Sequence, residues 1–380
     1  MNKAIKPSQE SAIRAIAFYL PQYHEVQENS LWWGEGFTDW VNVKKARARL
    51  PGHYQPHIPT ELGYYDLTDA SVRGKQAAMA ERYGIYGFCY YHYWFNGKRL
   101  LEKPINAVLA SGSPDFPFCF CWANENWTRN WDGLEKEILL AQIYSAEDDA
   151  DHIRALIPQF KDPRYIKVDN KPLFLVYHTE RLPDPRKTAQ IWRSEARRAG
   201  IEDLYLVRVE SVHSEPLDPA SIGFDAAAEF APDMKILGRS ILQRKRYAPL
   251  RRIGAVPKVF VQHWWRHYRT LVEKMVNKAR PPYKRFFGVC PSWDNTARRE
   301  IGATVFLGST PELYRKWLEV VVKRTLQTFK GDERLIFINA WNEWAEGCHL
   351  EPDEKFGTQY LEATSAALSN AQLEAVRNRE

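Results

Sequence analysis

Eight short apolar runs, distributed along the whole chain, constrain the fold of this sequence more than any other feature. Each run is nearly continuous in apolar residues and ends in polar or aromatic residues. Runs of this kind are typical of strands that are buried on both faces, as in parallel sheets. The predicted strands are Arg14–Leu20, Ile85–Tyr91, Phe116–Trp122, Pro172–Tyr177, Leu204–Val209, Asp225–Phe230, Phe286–Pro291 and Leu335–Trp341.

Helical patterns separate many of these runs. The clearest is amphipathic and follows the capping residues Ser309 and Thr310. The predicted helices are Ala70–Tyr83, Asp148–Phe160, Ala189–Ala199 and Pro311–Phe329. Alternation of strand and helix eight times predicts an α/β fold, the (β/α)8 TIM barrel. An open doubly wound sheet is the alternative, but the chain has no GxGxxG phosphate loop to support it.

Two insertions interrupt the alternation. One spans roughly residues 21–68, after the first strand, and the other roughly residues 231–285, before the seventh. The link between the fifth and sixth strands, by contrast, is short for a helix. Insertions in a barrel usually elaborate the face that carries the active site. With no internal repeat and no linker, we predict a single catalytic barrel domain over residues 1–380.

The sequence shows no sign of a membrane span or a signal peptide. No apolar run approaches the ~18–20 residues that cross a bilayer. The first residues lack the charged-then-apolar pattern of a secretory signal. We therefore expect a soluble protein that stays in the cytoplasm.

Basic charge is concentrated in residues 235–285, which hold 15 Lys and Arg and one acidic residue, Glu273, for a formal charge of 15 − 1 = +14. The whole chain carries only +6. An apolar face is predicted for one helix there, made of Trp264, Trp265, Tyr268, Leu271, Val272, Met275 and Val276. Three interpretations compete: a solvated outer face, peripheral contact with the anionic inner membrane, or binding of an acidic or pyrophosphate-bearing glycan. Nucleic acid is not expected, because no recognisable nucleic-acid module is present.

Residues of the sugar-binding type follow the predicted strands. Reacting groups of a (β/α)8 barrel lie at the carboxyl ends of its strands. Aromatic faces beside polar groups suit flat, weakly polar ligands, and the chain has 14 Trp. We expect substrate contacts from the strand-end residues Tyr19, His24, Tyr91, His92, Trp94, Trp122, Asn124, Glu125, Trp127, Trp293, Asp294, Asn342, Trp344 and Glu351, and from Trp32, Trp33 and Trp40 in the first insertion.

Some of these residues have an ordinary structural alternative. Asp294 precedes Asn295 and Thr296, so it could simply cap a turn. His92 could be a hydrogen-bonded core histidine. The three tryptophans of the first insertion could form a hydrophobic plug under the loop instead of stacking on sugars.

The candidate catalytic residues are Glu343 and Glu346, which follow the last predicted strand. Glycoside hydrolysis needs one acid to protonate the departing oxygen and a second carboxylate as base or nucleophile. Two neighbouring carboxylates can also push their pKa values apart, which keeps one of them protonated near neutral pH. A solvated pair of glutamates on a helix turn is the alternative that the spacing alone leaves open.

Several motifs in a fixed order carry a resemblance to known families. They are FYLPQYH (Phe18–His24), WWGEGFTDW (Trp32–Trp40), GFCYYHYWF (Gly87–Phe95), FCWANENWTRNWDG (Phe120–Gly133), PSWDNTARR (Pro291–Arg299) and INAWNEWAEGCHLEP (Ile338–Pro352). The last is similar to the signature of glycoside hydrolase family 99, the endo-α-mannosidases. From about Ala17 to about Ala363 the chain resembles the WbsX-like family, which is encoded in O-antigen and capsule gene clusters and commonly labelled as glycosyltransferases.

The resemblance implies roles for both glutamates. In family 99 the first Glu of NEWxEG is the general base and the second the general acid, which places these roles on Glu343 and Glu346. The base takes the proton of the sugar 2-hydroxyl, which attacks its own anomeric carbon, and water then opens the anhydro-sugar with overall retention. Ala345 stands where the mannosidases tend to carry a histidine, so the resemblance does not name the sugar.

Three functions are compatible with the sequence. A retaining, endo-acting glycoside hydrolase of a surface polysaccharide or its lipid-linked precursor is favoured. A glycosyltransferase or transglycosylase in O-antigen or capsule biosynthesis is the alternative, and a non-catalytic glycan-binding protein is the second. No cofactor is expected, since the chain has no DxD motif of the kind that holds a metal–nucleotide-sugar complex; its one D-x-D, Asp149–Asp151, lies within a predicted helix. No metal site is expected either, because the chain has no HxH and no HExxH motif.

Overall fold

Eight parallel strands close into a barrel in the computed structural model of this protein, which describes residues 13–129, 134–211, 214–243 and 248–377. Each strand pairs with the next along the chain, and β8 pairs with β1 to complete the ring. This confirms the predicted (β/α)8 barrel. The barrel strands are β1 (Arg14–Tyr19), β2 (Gly87–Phe95), β3 (Phe118–Trp122), β4 (Lys171–Val176), β5 (Tyr205–Glu210), β6 (Ala226–Glu229), β7 (Arg285–Val289) and β8 (Leu335–Ile338).

Helices lie between the strands and in the insertions. They are α1 (Gln27–Trp33), α2 (Trp40–Lys45), α3 (Ala70–Arg82), α4 (Lys103–Ser111), α5 (Ala146–Phe160), α6 (Pro185–Arg198), α7 (Ala248–Arg252), α8 (Lys258–Gln262), α9 (Tyr268–Val276), α10 (Pro311–Thr328) and α11 (Gln359–Arg377). The four predicted helices are present as α3, α5, α6 and α10. Between β5 and β6 the chain makes only a 3₁₀ turn, Pro219–Ile222, in keeping with the shortness of that link.

Local sequence signals explain where the main helices begin. Thr310 accepts a hydrogen bond from the backbone N–H of Leu313 at 3.3 Å, and Pro311 occupies the first turn of α10, where its missing N–H costs nothing. Ser145 caps α5 in the same way, and the first turn of α5 is acidic, which complements the helix dipole.

The first insertion folds over the carboxyl ends of the barrel strands. Trp40 of α2 donates from Nε1 to the carbonyl oxygen of Tyr65 at 2.7 Å and packs on Trp344 with ring centroids 5.7 Å apart. The backbone N–H of Leu67 donates to the carbonyl of Tyr23 at 2.9 Å. These two hydrogen bonds hold the insertion together, and the contact of Trp40 with Trp344 places it against the segment that follows β8.

The second insertion differs from the prediction of one amphipathic helix beginning at Trp264. Trp264–His267 is a strand that pairs in parallel with Thr304–Leu307, and α9 begins only at Tyr268. Strand pairing outweighs the helical pattern here, as tertiary context often does. Trp265 is buried and Trp264 is 41 % exposed.

The apolar residues of α9 are not available to a membrane. Tyr268, Leu271, Val272 and Met275 are buried in the core. The exposed apolar side chains of this insertion are instead Leu250, Ile253, Val261 and Trp264. Residues 244–247 of the basic segment, and residues 1–12 at the start of the chain, lie outside the described residues. Among the described helices, none has the length and hydropathy of a membrane span.

Shorter strands complete the structure around the barrel. Asn342–Glu343 and Cys348–His349 form an antiparallel pair just after β8, which folds the segment between them into a tight loop. The others are Lys98–Leu100, Trp127–Arg129, Leu134–Leu140 and Lys167–Val168.

Candidate active site

One arginine joins the two candidate glutamates. Arg298 donates from Nη2 to Glu343 Oε2 at 3.1 Å, and its Nη1 lies 3.0 Å from Glu346 Oε1. The same Nη2 donates to Asp39 Oδ2 at 2.7 Å. Asp39 is fully buried and comes from the first insertion, whereas Arg298 follows β7. The site is therefore assembled from three separate segments.

Burial governs the protonation of this cluster. Burial raises the pKa of Glu343 to about 8, since the opposing effect of Arg298 is smaller and the charge of Glu346 adds to the rise. Burial also raises the pKa of Glu346, again against Arg298. Three carboxylates face one guanidinium. We infer that the glutamate pair retains one proton near neutral pH, as general acid–base chemistry requires.

Asn342 anchors the loop that carries the pair. Its Oδ1 accepts from the backbone N–H of Leu20 at 2.7 Å, and its Nδ2 donates to the Leu20 carbonyl at 3.0 Å. Tyr23 donates its hydroxyl to the Asn342 carbonyl at 2.7 Å and accepts from the N–H of Trp344 at 3.1 Å. The end of β1 thus fixes Glu343 in place.

A buried carboxyl group, that of Glu351, supports the loop that carries Glu343 and Glu346. Glu351 accepts hydrogen bonds from Trp344 Nε1 at 2.6 Å, Tyr65 at 2.7 Å and Gln76 Nε2 at 2.6 Å. Burial raises the pKa of Glu351 to about 7, although these hydrogen bonds act to lower it. Because Glu351 holds Trp344, which lies between the two glutamates in the sequence, its role is to position the loop.

Gly347 lets the loop pass close to Asp294. It has φ +56°, and a Cβ added to it would lie 2.9 Å from Asp294 Cβ and 3.0 Å from the Asp294 carbonyl oxygen. The backbone N–H of Asp294 donates to the Glu346 carbonyl at 2.7 Å across this contact. Glycine is therefore required both by the backbone angle and by the lack of space.

Replacing Gly347 by alanine is expected to lower the free energy of unfolding by about 1–3 kcal/mol. The added methyl group must push the Asp294 backbone away, which moves the peptide of Glu346, so activity should fall as well. Urea denaturation and kcat/KM measure the two effects.

Gly357→Ala is the matched control. Gly357 has φ +51° but no atom within 4 Å of an added Cβ. It carries the same backbone strain, about 1–2 kcal/mol, without the close contact. Equal effects of the two substitutions on activity would contradict the importance of the contact with Asp294.

An aromatic cleft of about 230 Å³ opens above the pair. Trp32 and Trp127 meet in it edge to face, with ring centroids 5.4 Å apart. Seven of the residues that the sequence predicted for the site line this cleft. They are Trp32, Trp33, Tyr91, Glu125, Trp127, Glu343 and Glu346.

Glu125 is held by a buried histidine. His178 donates from Nε2 to Glu125 and from Nδ1 to Glu180 Oε1, the latter at 2.5 Å. Burial by itself lowers the pKa of His178, but hydrogen bonds to Glu125 and Glu180 outweigh it, so the pKa is raised. The imidazole of His178, held between two carboxylates, orients Glu125, whose carboxylate borders the cleft.

Three predicted contacts lie behind the barrel wall instead of in the cleft. His92 Nε2 is 3.0 Å from His152 Nε2, which places it between β2 and α5 as a core histidine. Trp94 donates from Nε1 to Asp148 Oδ1 at 2.8 Å, and Trp122 packs on the His152 ring at 4.6 Å. Their positions do not support the prediction that they touch substrate.

The remaining predicted residues also lie outside the cleft. Asn124 bonds the backbone of His178, with its Oδ1 accepting from the His178 N–H at 2.8 Å. His24 is buried, and burial lowers its pKa to about 4. Supporting positions are held by Tyr19, Trp40, Asn342, Trp344 and Glu351.

Asp294 and Trp293 line a second, smaller cavity of about 70 Å³. Asp294 Oδ1 accepts from the N–H of Thr296 at 3.0 Å, so it does cap a turn. Burial raises the pKa of Asp294, but the hydrogen bond and charge of His53, 2.5 Å away, outweigh burial and lower it. Among the described residues, one group could hold a metal ion: His57, His349 and Asp353. Each offers one ligand atom, and the three atoms lie within 4.8 Å of one another at the edge of this cavity.

The sequence model of the family described as "Glycosyltransferase WbsX" matches residues 15–364. The chain belongs to this family. The protein WxcX of Xanthomonas campestris pv. campestris, described as uncharacterized, is 42 % identical to the WbsX-family chain over 356 residues. That match covers 94 % of the chain but only 50 % of WxcX, so the chain spans about half the length of this curated relative.

Solved structures share the fold of the WbsX-family chain at low sequence identity. A family 99 endo-α-mannosidase from Bacteroides thetaiotaomicron has 16 % identity and a TM-score of 0.55, covering 96 % of this chain and 98 % of that one. A glycoside hydrolase-like protein has 12 % identity and a TM-score of 0.58, with 97 % of each chain covered. At this level of sequence identity, the similarity to these structures shows the fold alone.

Several residues of the WbsX-family site were not singled out from the sequence. Arg298 and Asp39 lie within quoted motifs, PSWDNTARR and WWGEGFTDW, yet neither lies at a strand end. Their place inside a quoted motif was the available signal for both. The further aromatic residues of the cleft are Tyr93, Tyr177 and Phe230, and His178 orients Glu125 from outside the cleft.

Proposed function

We propose that this WbsX-family chain is a retaining glycoside hydrolase that cleaves within a polysaccharide. The observation that carries this proposal is the pair formed by the buried Glu343 and the partly buried Glu346, both contacted by Arg298 at the mouth of the barrel. Burial of two carboxylates around one guanidinium supplies an acid and a base at the same pH. The aromatic cleft above the pair supplies stacking faces for sugar rings.

The proposed chemistry follows the family 99 roles of the two glutamates. Glu346 donates a proton to the glycosidic oxygen as the bond from that oxygen to the anomeric carbon breaks. Glu343 takes the proton of the sugar 2-hydroxyl, whose oxygen forms a bond to the same carbon. Water then opens the anhydro-sugar, giving its proton to Glu346 while Glu343 returns its proton to the 2-oxygen. Two inversions at the anomeric carbon give overall retention.

The exposure of the two glutamates is compatible with this division of roles. Glu343 is the more buried of the two, with 8 % of its side chain exposed against 21 % for Glu346. Because Arg298 contacts both carboxylates, one proton can reside on either. The reactive form has the proton on Glu346, the more accessible group, and leaves Glu343 ionised against Arg298.

The charge of the cleft restricts the sugar. The described lining holds Glu125, Glu343 and Glu346 but only one basic side chain, Arg298, which the glutamates already occupy. An acidic sugar next to the pair would be repelled. We therefore infer a neutral sugar at the site of cleavage.

Glycosyl transfer is the second candidate, and the description of the family favours it. The same anhydro-sugar can be opened by the hydroxyl of another sugar instead of water, which makes the enzyme a transglycosylase without any new catalytic group. A non-catalytic binder is the weaker alternative, since burying two charged groups without a role would cost stability for no gain.

Incubation of the purified chain with the surface glycan of its source organism, or with the lipid-linked precursor, separates these functions by mass spectrometry of the products. We expect shortened glycan without any added donor. Glu346→Gln is the inactive control, and Glu319→Gln, on the exposed face of α10, is the matched active one.

Three other outcomes of this incubation would each indicate a different function. Extension of the glycan only with an added nucleotide sugar would contradict hydrolysis and support a transferase. Exchange of glycan segments without a donor would indicate a transglycosylase. Unchanged glycan under every condition, with binding retained, would leave the chain a glycan-binding protein.

The cellular setting is also a proposal. A lipid-linked oligosaccharide on the cytoplasmic side of the inner membrane is the precursor that we infer for this enzyme. Contact of residues 235–285 with an anionic membrane stays a prediction. This prediction rests on the positive charge of the segment and on the exposed side chains of Ile253, Val261 and Trp264.

A further inference from the structure

We propose that His57, His349 and Asp353 form a binding site for a divalent transition-metal cation, with Zn²⁺ as the best match. His57 Nδ1 lies 2.8 Å from His349 Nε2, which lies 3.8 Å from Asp353 Oδ2. All three residues are buried. Two imidazole nitrogens and a carboxylate oxygen are a donor set that suits Zn²⁺.

The hydrogen bonds around His349 direct its ligand atom into the site. Its Nδ1 donates to the carbonyl oxygen of Glu351 at 2.8 Å, so Nε2 carries the free lone pair. A metal-bound histidine commonly has this outer hydrogen bond, which fixes the tautomer and the ring orientation. His57 currently donates from Nδ1 to His349. It would bind the ion after its proton moves to Nε2, with no net loss of a proton.

The two segments that supply the ligands are already held together. The backbone N–H of Thr60 donates to the Pro352 carbonyl at 3.1 Å, and the N–H of Glu354 donates to the Ile58 carbonyl at 2.9 Å. Pro59 and Asp353 also form an isolated antiparallel bridge. The ligands are therefore preorganised, which reduces the entropic cost of binding the ion.

Little movement is needed to admit the ion. Tetrahedral coordination at the usual Zn–N distance separates two nitrogen ligands by about 3.3 Å. The histidine nitrogens must therefore move apart by about half an ångström from their present 2.8 Å. The adjacent cavity of about 70 Å³ leaves room for a water molecule as fourth ligand.

The position of the site indicates a supporting function. His57 belongs to the first insertion, whereas His349 follows the loop that carries Glu343 and Glu346. The His349 ring stacks on Trp344 at 3.8 Å, inside that loop. A bound ion would fasten the insertion to the loop and limit its movement. The site would act on stability and needs no assumption about the reaction in the cleft.

Spacing in the sequence did not reveal this site. His57 and His349 are 292 residues apart, and only the barrel brings them together. The expectation that the chain has no metal site rested on short motifs such as HExxH, which place both ligands on one helix. Ligands from two loops leave no such signature.

Calorimetric titration of the chelator-stripped chain with Zn²⁺ alone tests the proposal. We expect one ion per chain in the wild type, and at least about 100-fold weaker binding in His57→Asn and in Asp353→Asn. His267→Asn is the control, because His267 is an exposed histidine outside the site. Circular dichroism checks that each variant is folded.

Asp353→Asn decides the matter if His57→Asn does not fold, since asparagine can still accept the hydrogen bond that Phe356 donates to Asp353 Oδ1. Binding of Co²⁺ gives an independent readout, because tetrahedral coordination by the site produces a visible absorption band that the variants should lose. Equal Zn²⁺ affinity in the wild type and both site variants, or no stoichiometric binding by the wild type, would overturn the proposal.

Discussion

Replacing Glu346 by glutamine is expected to reduce kcat/KM by about 10²–10⁴-fold, while the fold and glycan binding persist. Glutamine keeps the size of the side chain and one acceptor for Arg298, which lies 3.0 Å from Glu346 Oε1. It has no proton to give to the departing oxygen. Steady-state kinetics measure the loss, and the fluorescence of Trp32, Trp33 and Trp127 in the cleft reports binding.

The control for this substitution is Glu319→Gln, which removes a carboxylate from an exposed helix pair and should change nothing but a weak surface contact. A Glu346→Gln enzyme with wild-type turnover would exclude Glu346 as the general acid. Loss of binding together with turnover would instead assign Glu346 to substrate recognition.

The same variant has a predicted effect on pH dependence. In the wild type, burial raises the pKa of Glu343 to about 8 and the charge of Glu346 adds to that rise. Removing the Glu346 charge should therefore lower the pKa of Glu343. For the wild type we expect a bell-shaped profile of kcat/KM. Activity falls on the alkaline side as the pair loses its last proton and on the acid side as the base becomes protonated.

Replacing Arg298 by methionine is the second substitution with a large expected effect. It leaves the buried Asp39 and Glu343, and the partly buried Glu346, without their common cation. Removing one partner from a buried ionic cluster costs about 3–5 kcal/mol. We expect a loss of that order in the free energy of unfolding near pH 8. Activity should also fall by about 10²–10³-fold, because an oriented cation at the reacting groups is lost.

The loss of stability should depend on pH in a defined direction. Without Arg298 the folded-state pKa values of Glu343 and Glu346 rise further above 4.5, their ordinary value. A carboxyl group whose pKa is raised on folding destabilises the fold as pH increases through that interval. The deficit of the variant should therefore be largest above pH 8 and shrink toward pH 4.5. Urea denaturation at several pH values measures it.

Arg315→Met is the matched control, because Arg315 makes an exposed i,i+4 pair with Glu319 on α10 at 2.9 Å. A pair of that kind is worth about 0.3–0.5 kcal/mol. If Arg298→Met were no more destabilising than Arg315→Met, or if its deficit grew as the pH fell, the ionic cluster would not act as we describe.

The barrel could be predicted from the sequence, and the candidate pair Glu343 and Glu346 was located in the same way. The eight apolar runs correspond to β1–β8. Nearly continuous burial on both faces of a parallel strand leaves a pattern that no solvent-exposed segment shares. Glu343 and Glu346 follow β8, where the chemistry of this fold is placed. A short local motif contains both of them, so no long-range contact was needed to find them.

The direction of individual side chains could not be predicted in the same way. In β2, Tyr91 and Tyr93 line the cleft, while His92 and Trp94 point to α5. Successive residues of a strand alternate between the two faces. Both faces of β2 are aromatic and buried. The residue types therefore do not indicate which face of β2 points into the barrel.

The sequence by itself determined the fold class and located the candidate pair Glu343 and Glu346, because apolar runs and a short motif are local patterns. Tertiary structure alone decided which groups surround that pair. Arg298 meets Asp39 from a segment 259 residues away, and His57 meets His349 across 292. Such contacts depend on the closure of β8 against β1 and on how an insertion folds back over the barrel. Neither the closure of the barrel nor the path of an insertion produces a periodic pattern in the sequence. The charged groups around the pair could therefore be identified only from the tertiary structure.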